Sequence, residues 1–142
     1  MTVTLTDRER RYIALFEDVT GATARDCLVR DGGERVVFLV GAGEMGQAVG
    51  PGGQRVRKVE KQLGRSVDLV EDADTPEAFV ASTLSPAAVR HVTVSEQGER
   101  VVAYVEVAPA DRGVAIGADG RNIDVARTLA RRHYGIDDVQ LT

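Results

Sequence analysis

Two hydrophobic periods alternate along the chain, and their order is what first organises it. Leu5 to Val19 places Ile13, Leu15 and Phe16 near a helical spacing behind Thr6, a capping residue with Glu9 three positions on, so this segment reads as a helix. Arg25 to Arg30 and Arg35 to Val40 are β-rich runs joined by Asp31-Gly32-Gly33-Glu34, whose Asp-Gly step favours a tight hairpin. A short helical segment from Glu44 to Val49 meets Gly50-Pro51-Gly52-Gly53, which breaks it, because proline lacks the amide donor and glycine favours unusual dihedrals. Helix resumes with Val56, Val59 and Leu63 as its apolar stripe, ends at Gly64, and gives way to an alternating strand, Ser66 to Val70.

Asp72-Ala73-Asp74-Thr75-Pro76 is polar and marked by proline, which sets a boundary between domains at 1–72 and 73–142. Beyond it the order repeats. A helical opening, Pro76 to Leu84 with a restart expected at Pro86, precedes strands at His91 to Ser95 and Arg100 to Val107 across the turn Glu96-Gln97-Gly98-Glu99. Arg112 to Ile116 enters Gly117-Ala118-Asp119-Gly120, the helix Arg121 to Tyr134 buries Ile123, Ala126, Leu129 and Ala130, and Asp138 to Leu141 closes the sheet. The run Gly46 to Val56 returns as Gly113 to Ile123 at a constant offset of 67 residues, so the chain is two copies of one α-β-β-α-α-β unit.

Composition acts mainly by exclusion. The 142 residues, 43% hydrophobic, suffice for one medium core or two small ones of roughly 70 residues each. A formal net charge of -4 with 28% charged residues describes a globular chain, and gives no global sign of a nucleic-acid partner. No apolar run approaches the roughly 18 residues that span a bilayer, and Asp7, Arg8, Glu9, Arg10 and Arg11 break up any signal-peptide core. A cytoplasmic setting without a membrane partner is therefore expected. Cys27 is the only cysteine, which excludes an intrachain disulfide and predicts a small buried side chain. Only Lys58 and Lys61 of the 18 basic residues are lysines, a bias that suits a high-salt cytoplasm and would follow equally from a GC-rich genome.

The repeated loop carries the chemistry. Glycines at both ends of a Gly-x-x-Gly turn let a sugar-phosphate backbone approach the main chain, and the next helix presents free N–H groups to its phosphates. Val49 and Val56 in one copy, and Ile116 and Ile123 in the other, can floor a groove for unstacked bases. Local charge agrees: Gln54 to Arg65 holds Arg55, Arg57, Lys58, Lys61 and Arg65 against Glu60, and Arg121 to His133 holds four arginines against Asp124. The residues nearest the loops, Arg55, Arg57 and Lys58, then Arg121 and Asn122, are the ones expected to contact phosphate. Lys61, Arg65 and Arg127 fit a solvated helix face as well. Asp119 puts a carboxylate between the glycines of the second loop, so Gly50 to Gly53 should contribute more affinity than Gly117 to Gly120. With 4% aromatic residues, base stacking on rings is not the expected mode.

Ala48-Val49-Gly50-Pro51-Gly52-Gly53-Gln54-Arg55-Val56 and Ala115-Ile116-Gly117-Ala118-Asp119-Gly120-Arg121-Asn122-Ile123 resemble two KH signatures, and their close pairing resembles the tandem KH region of the NusA-like family. The resemblance implies an α+β fold of two type II KH domains, each a mixed three-stranded sheet with helices on one face. It further implies binding to single-stranded, nascent RNA in transcription elongation, termination or antitermination, with RNA polymerase as a candidate second partner. These 142 residues leave no room for the amino-terminal polymerase-binding and S1 domains of the bacterial proteins, so the resemblance is to the compact archaeal type.

Two other readings compete. Gly41-Ala42-Gly43-Glu44-Met45-Gly46 follows a strand and opens a helix, as a dinucleotide-binding enzyme requires, with Glu71 or Asp72 as the ribose-binding acid. Against it, Pro51 cuts the helix short, further βαβ units are missing, and the second copy keeps only the Gly-x-x-Gly. The paired units would also serve as a protein-interaction scaffold, for which binding need not weaken steeply with salt. His91 and His133 are the only histidines and no metal-ligand or Walker spacing occurs, so neither a catalytic residue, a metal nor a cofactor is expected.

Overall fold

The computed structural model describes residues 3–142, which divide into two compact units, Thr4–Asp72 and Ala73–Thr142, the latter with Val3. In the first, helix α1 (Asp7–Thr20) is followed by β1 (Ala24–Arg30), β2 (Arg35–Val40), α2 (Met45–Val49), α3 (Gln54–Leu63) and β3 (Ser66–Glu71). The second repeats this order as α4 (Pro76–Thr83), β4 (Val89–Gln97), β5 (Arg100–Val107), α5 (Arg112–Ile116), α6 (Arg121–Tyr134) and β6 (Asp138–Leu141).

Each unit is α+β with a mixed three-stranded sheet. The central strand, β2 or β5, pairs antiparallel with the strand before it and parallel with the last strand of its unit. A parallel partner cannot be reached by a hairpin, and the connection it needs is the helical crossover that carries the glycine loop. The capping box predicted at Thr6 is present, with Thr6 Oγ1 accepting from the Glu9 N–H at 3.1 Å and Glu9 Oε1 accepting from the Thr6 N–H at 2.8 Å. Glycines in the left-handed region, Gly64 and Gly135, end α3 and α6.

The first core joins Phe16, Ala48 and Val59 from the helices to Cys27, Val36, Phe38 and Val40 of the sheet, and Phe16 stacks on Phe38 with ring centroids 4.5 Å apart. Burying each phenylalanine contributes about 1.5–3 kcal/mol. The second core is built alike from Val80, Leu84, Ala115, Ile123, Ala126 and Ala130 against Ala103, Val105, Val107 and Val139.

Two expectations need correction, and a third is extended. Helix does not restart at Pro86: after Thr83 the chain makes a turn in which the Ala87 N–H donates to the Leu84 carbonyl, and it then enters β4. The hairpin between β4 and β5 is tighter than a four-residue turn, because pairing continues to Gln97 and Arg100 and leaves Gly98, at φ 67, to begin a two-residue link. Helix α6 also buries Val125, which widens the apolar face read from its periodicity. No helix among the described residues is long and apolar enough to cross a membrane.

Candidate nucleic-acid interface

The two loops share one backbone conformation. Gly50, Gly52 and Gly53 have φ/ψ of 75/171, 59/20 and 79/17, and Gly117, Asp119 and Gly120 have 78/168, 55/26 and 76/14. In each, the N–H of the last glycine donates to the carbonyl of the first, at 3.0 and 3.1 Å. No side chain caps α3 or α6 at its N-terminus; the first N–H of each helix, from Gln54 or Arg121, donates to the carbonyl of Pro51 or Ala118 in its own loop.

A β-carbon at the first glycine would strike the helix that follows. At Gly50 it would lie 2.7 Å from Arg55 Cγ, and at Gly117 2.8 Å from the Asn122 backbone nitrogen. Arg55 and Asn122 occupy equivalent positions and do equivalent work: Arg55 Nη1 donates to the Gln47 carbonyl at 3.0 Å, and Asn122 Nδ2 donates to the Val114 carbonyl at 3.3 Å. Each ties the helix after the loop to the helix before it. Two residues that the sequence offered as phosphate contacts thus close the loops, by different chemistry at the same place.

Around the second loop a groove of about 530 Å³ is lined by Ile116, Asp119, Gly120, Ile123, Asp124 and Leu141, with Arg112, Arg127 and Gln140 at its margins. Ile116 is 40% exposed and Val114 47%, an apolar edge left open beside the glycines. Ala118 and Arg121 are exposed at the loop, and Ile123 faces the groove from the core. Leu141 and Gln140 were not legible as groove residues, since nothing local in β6 says which sheet edge runs past the loop. Arg127 is occupied by Asp138, 3.0 Å from its Nε, and by Asp124 at 3.7 Å.

The first loop differs in charge. Pro51 and Gly52 are exposed, Val49 and Val56 are half-buried, and Arg57 and Lys58 project from the exposed side of α3. Arg57 lies against Gly53, with Nη1 3.1 Å from where a β-carbon there would stand. Neither Arg57 nor Lys58 pairs with a carboxylate among the described residues. Asp124 stands in the second unit where Arg57 stands in the first, so the second groove carries two carboxylates, Asp119 and Asp124, and the first carries cations.

The dinucleotide reading fails on this geometry. Glu44 Oε1 accepts from the Thr23 N–H at 3.0 Å, its Oε2 lies 2.0 Å from where a Gly41 β-carbon would stand, and the Gly43 N–H donates to Glu71 Oε2 at 2.7 Å. The Gly43 N–H is thus already taken by a carboxylate, and a second carboxylate stands against Gly41, which opposes an approaching pyrophosphate. Asp72, the other candidate ribose acid, pairs with Arg25 at 3.0 Å, and α2 is only five residues long.

A family model described as the NusA-like second KH domain matches residues 76–140, and one described as the KH domain matches residues 10–76. The Probable transcription termination protein NusA of Halobacterium salinarum is 61% identical over 142 residues, the full length of both chains. The protein of that name from Methanocaldococcus jannaschii is 32% identical over 98% of this chain and 75% of its own. The Transcription termination/antitermination protein NusA of Mycobacterium tuberculosis is 36% identical over 80% of this chain and 34% of its own. The crystal structure of APE1850 is similar with a TM-score of 0.83 at 31% identity, covering 97% of this chain and 100% of that one.

Proposed function

Because the chain belongs to the NusA-like family of tandem KH proteins, we propose that it binds single-stranded RNA as a transcription termination or antitermination factor, with residues 1–72 and 73–142 as its two KH domains. The observation that carries this is the pair of loops with matching dihedrals, each leading into a helix without a side-chain cap, with an exposed apolar edge beside the second. Gly50, Gly53, Gly117 and Gly120 admit the sugar-phosphate backbone, and Val49, Val56, Ile116 and Ile123 floor the grooves. Arg57, Lys58 and Arg121 answer phosphates, while Arg55 and Asn122 hold the loops in shape. The names of the relatives in archaea and bacteria support the transcriptional role, with nascent RNA as ligand, RNA polymerase as second partner and the cytoplasm as the place of action.

The test is fluorescence anisotropy of the full chain on short RNA and DNA pools across a salt series. Pro51→Asp with Gly52→Asp puts two carboxylates in the first loop, and Ala118→Asp makes the second loop equally acidic. Asp119 already adopts the Gly52 conformation, so the first-loop variant is expected to stay folded. RNA affinity should drop by about tenfold or more in the first-loop variant, by less in the second, and steeply with salt for the unaltered chain. Salt-insensitive binding, or equal RNA affinity in all three, would remove the reading.

A further inference from the structure

Arg8 of α1 and Arg65, just beyond α3, converge on one phenol. Arg8 Nε and Arg65 Nε each donate to Tyr12 Oη at 3.0 Å, and Arg65 Nη1 also donates to the Gly33 carbonyl at 2.6 Å. A β-carbon at Gly33 would lie 2.8 Å from Arg8 Nη2, so the hairpin between β1 and β2 is shaped to admit both guanidinium groups. Among the described residues, neither arginine pairs with a carboxylate. The nearby acids point elsewhere: Glu9 bonds the Thr6 N–H, Asp7 pairs with Arg10, and Asp31 with Arg35.

Two like charges on one neutral oxygen repel, and an anion placed between them would relieve that repulsion. Tyr12 accepts both its bonds, which leaves its own O–H to donate outward beside the remaining guanidinium N–H groups. The bond from Arg8 lowers the Tyr12 pKa most, with Arg65 adding to it against the effect of burial. The cluster is also connected to the first loop. Arg57 and Lys61 stand four residues apart on α3, Arg65 follows just beyond the left-handed cap at Gly64, and the one carboxylate of α3, Glu60, is turned to the Val67 N–H. At the matching positions of α6 stand Asp124, Thr128 and Arg132, so the fold itself requires a cation at neither of the first two positions of this row.

We propose that Arg8, Tyr12 and Arg65 form a phosphodiester subsite that extends the RNA path from the Gly50–Gly53 loop along α3, lengthening the footprint of the first unit beyond its groove. The ten-residue helix α3 itself covers about 15 Å, and a groove of this kind holds about four nucleotides. This inference rests on the proposed RNA binding at the first loop.

The experiment measures affinity for mixed-sequence RNA tetramers and octamers, in the full chain carrying Ala118→Asp so that the first groove dominates. Arg8→Ala and Tyr12→Phe are compared there with Arg8→Lys, and each variant is checked by thermal melting. Octamer binding should weaken about 3- to 10-fold in Arg8→Ala, with a salt slope shallower by about 0.7, and less in Tyr12→Phe. Arg8→Lys should recover much of the loss, and tetramer binding should stay unchanged throughout. Unchanged octamer affinity, or equal losses for both lengths, would overturn the subsite and leave the loop assignment standing. Failure of the parent chain to bind either length would instead overturn the RNA reading, and the subsite with it.

Discussion

Gly117 and Asp119 sit two residues apart and face opposite tests. Gly117 has no alternative, because its missing β-carbon would lie 2.8 Å from a backbone nitrogen, which cannot swing aside as a side chain can. Asp119, at φ 55, occupies a left-handed position that aspartate tolerates better than most residues but less well than glycine. Asp119→Gly should therefore stabilise the fold by about 0.5–1 kcal/mol in urea unfolding. It should also tighten RNA binding severalfold, read by anisotropy in a chain whose first loop carries the two aspartates. A fall in RNA affinity would mean that Asp119 makes a favourable contact with the ligand. The glycine spacing was legible in the sequence, since repetition at a fixed offset exposes a backbone requirement. The inward turn of Arg55 and Asn122 was not, because a residue type beside a loop does not disclose whether its donors reach outward or back to a carbonyl.

Elements were legible where period and punctuation agreed. The capping box at Thr6, the stop at Gly64 and the whole length of β5 follow from local chemistry. Pro86 misled because a proline also suits the turn before a strand. The strand β6 shows what sequence alone omits. Burial pushes the Asp138 carboxyl up, but the Gln140 amide at 3.0 Å, the Val139 N–H at 2.8 Å and the guanidinium groups of Arg127 and Arg100 hold it below its ordinary value. A depressed folded-state pKa adds stability above the unfolded value and loses it as pH falls through the folded one. Asp138→Asn should thus cost about 1–2 kcal/mol at neutral pH and flatten the decline in stability below about pH 4, checked by urea melts at stepped pH. An unchanged acid limb would show that other carboxylates dominate it. The same strand supplies Leu141 to the groove, so α6, β6 and the loop are fixed by one set of contacts.

Across the whole chain, one architecture carries two electrostatic characters. The net charge of -4 concealed a cationic face on α3, and a strong local motif at Gly41 to Gly46 turned out to be a turn already occupied by carboxylates. What recurred after 67 residues was a better guide than what matched a pattern once. Cys27, wholly buried in the first core, adds a different kind of handle. As the chain's single thiol it is a built-in clock: a thiol-modifying reagent in solution can reach it only when the unit around it opens. Where closing outpaces modification, the labelling rate followed by mass spectrometry measures the open population of that unit directly. Gly50→Ala, strained by about 1–3 kcal/mol, should speed the clock roughly 5- to 150-fold, and RNA held at the first loop should slow it in proportion to occupancy.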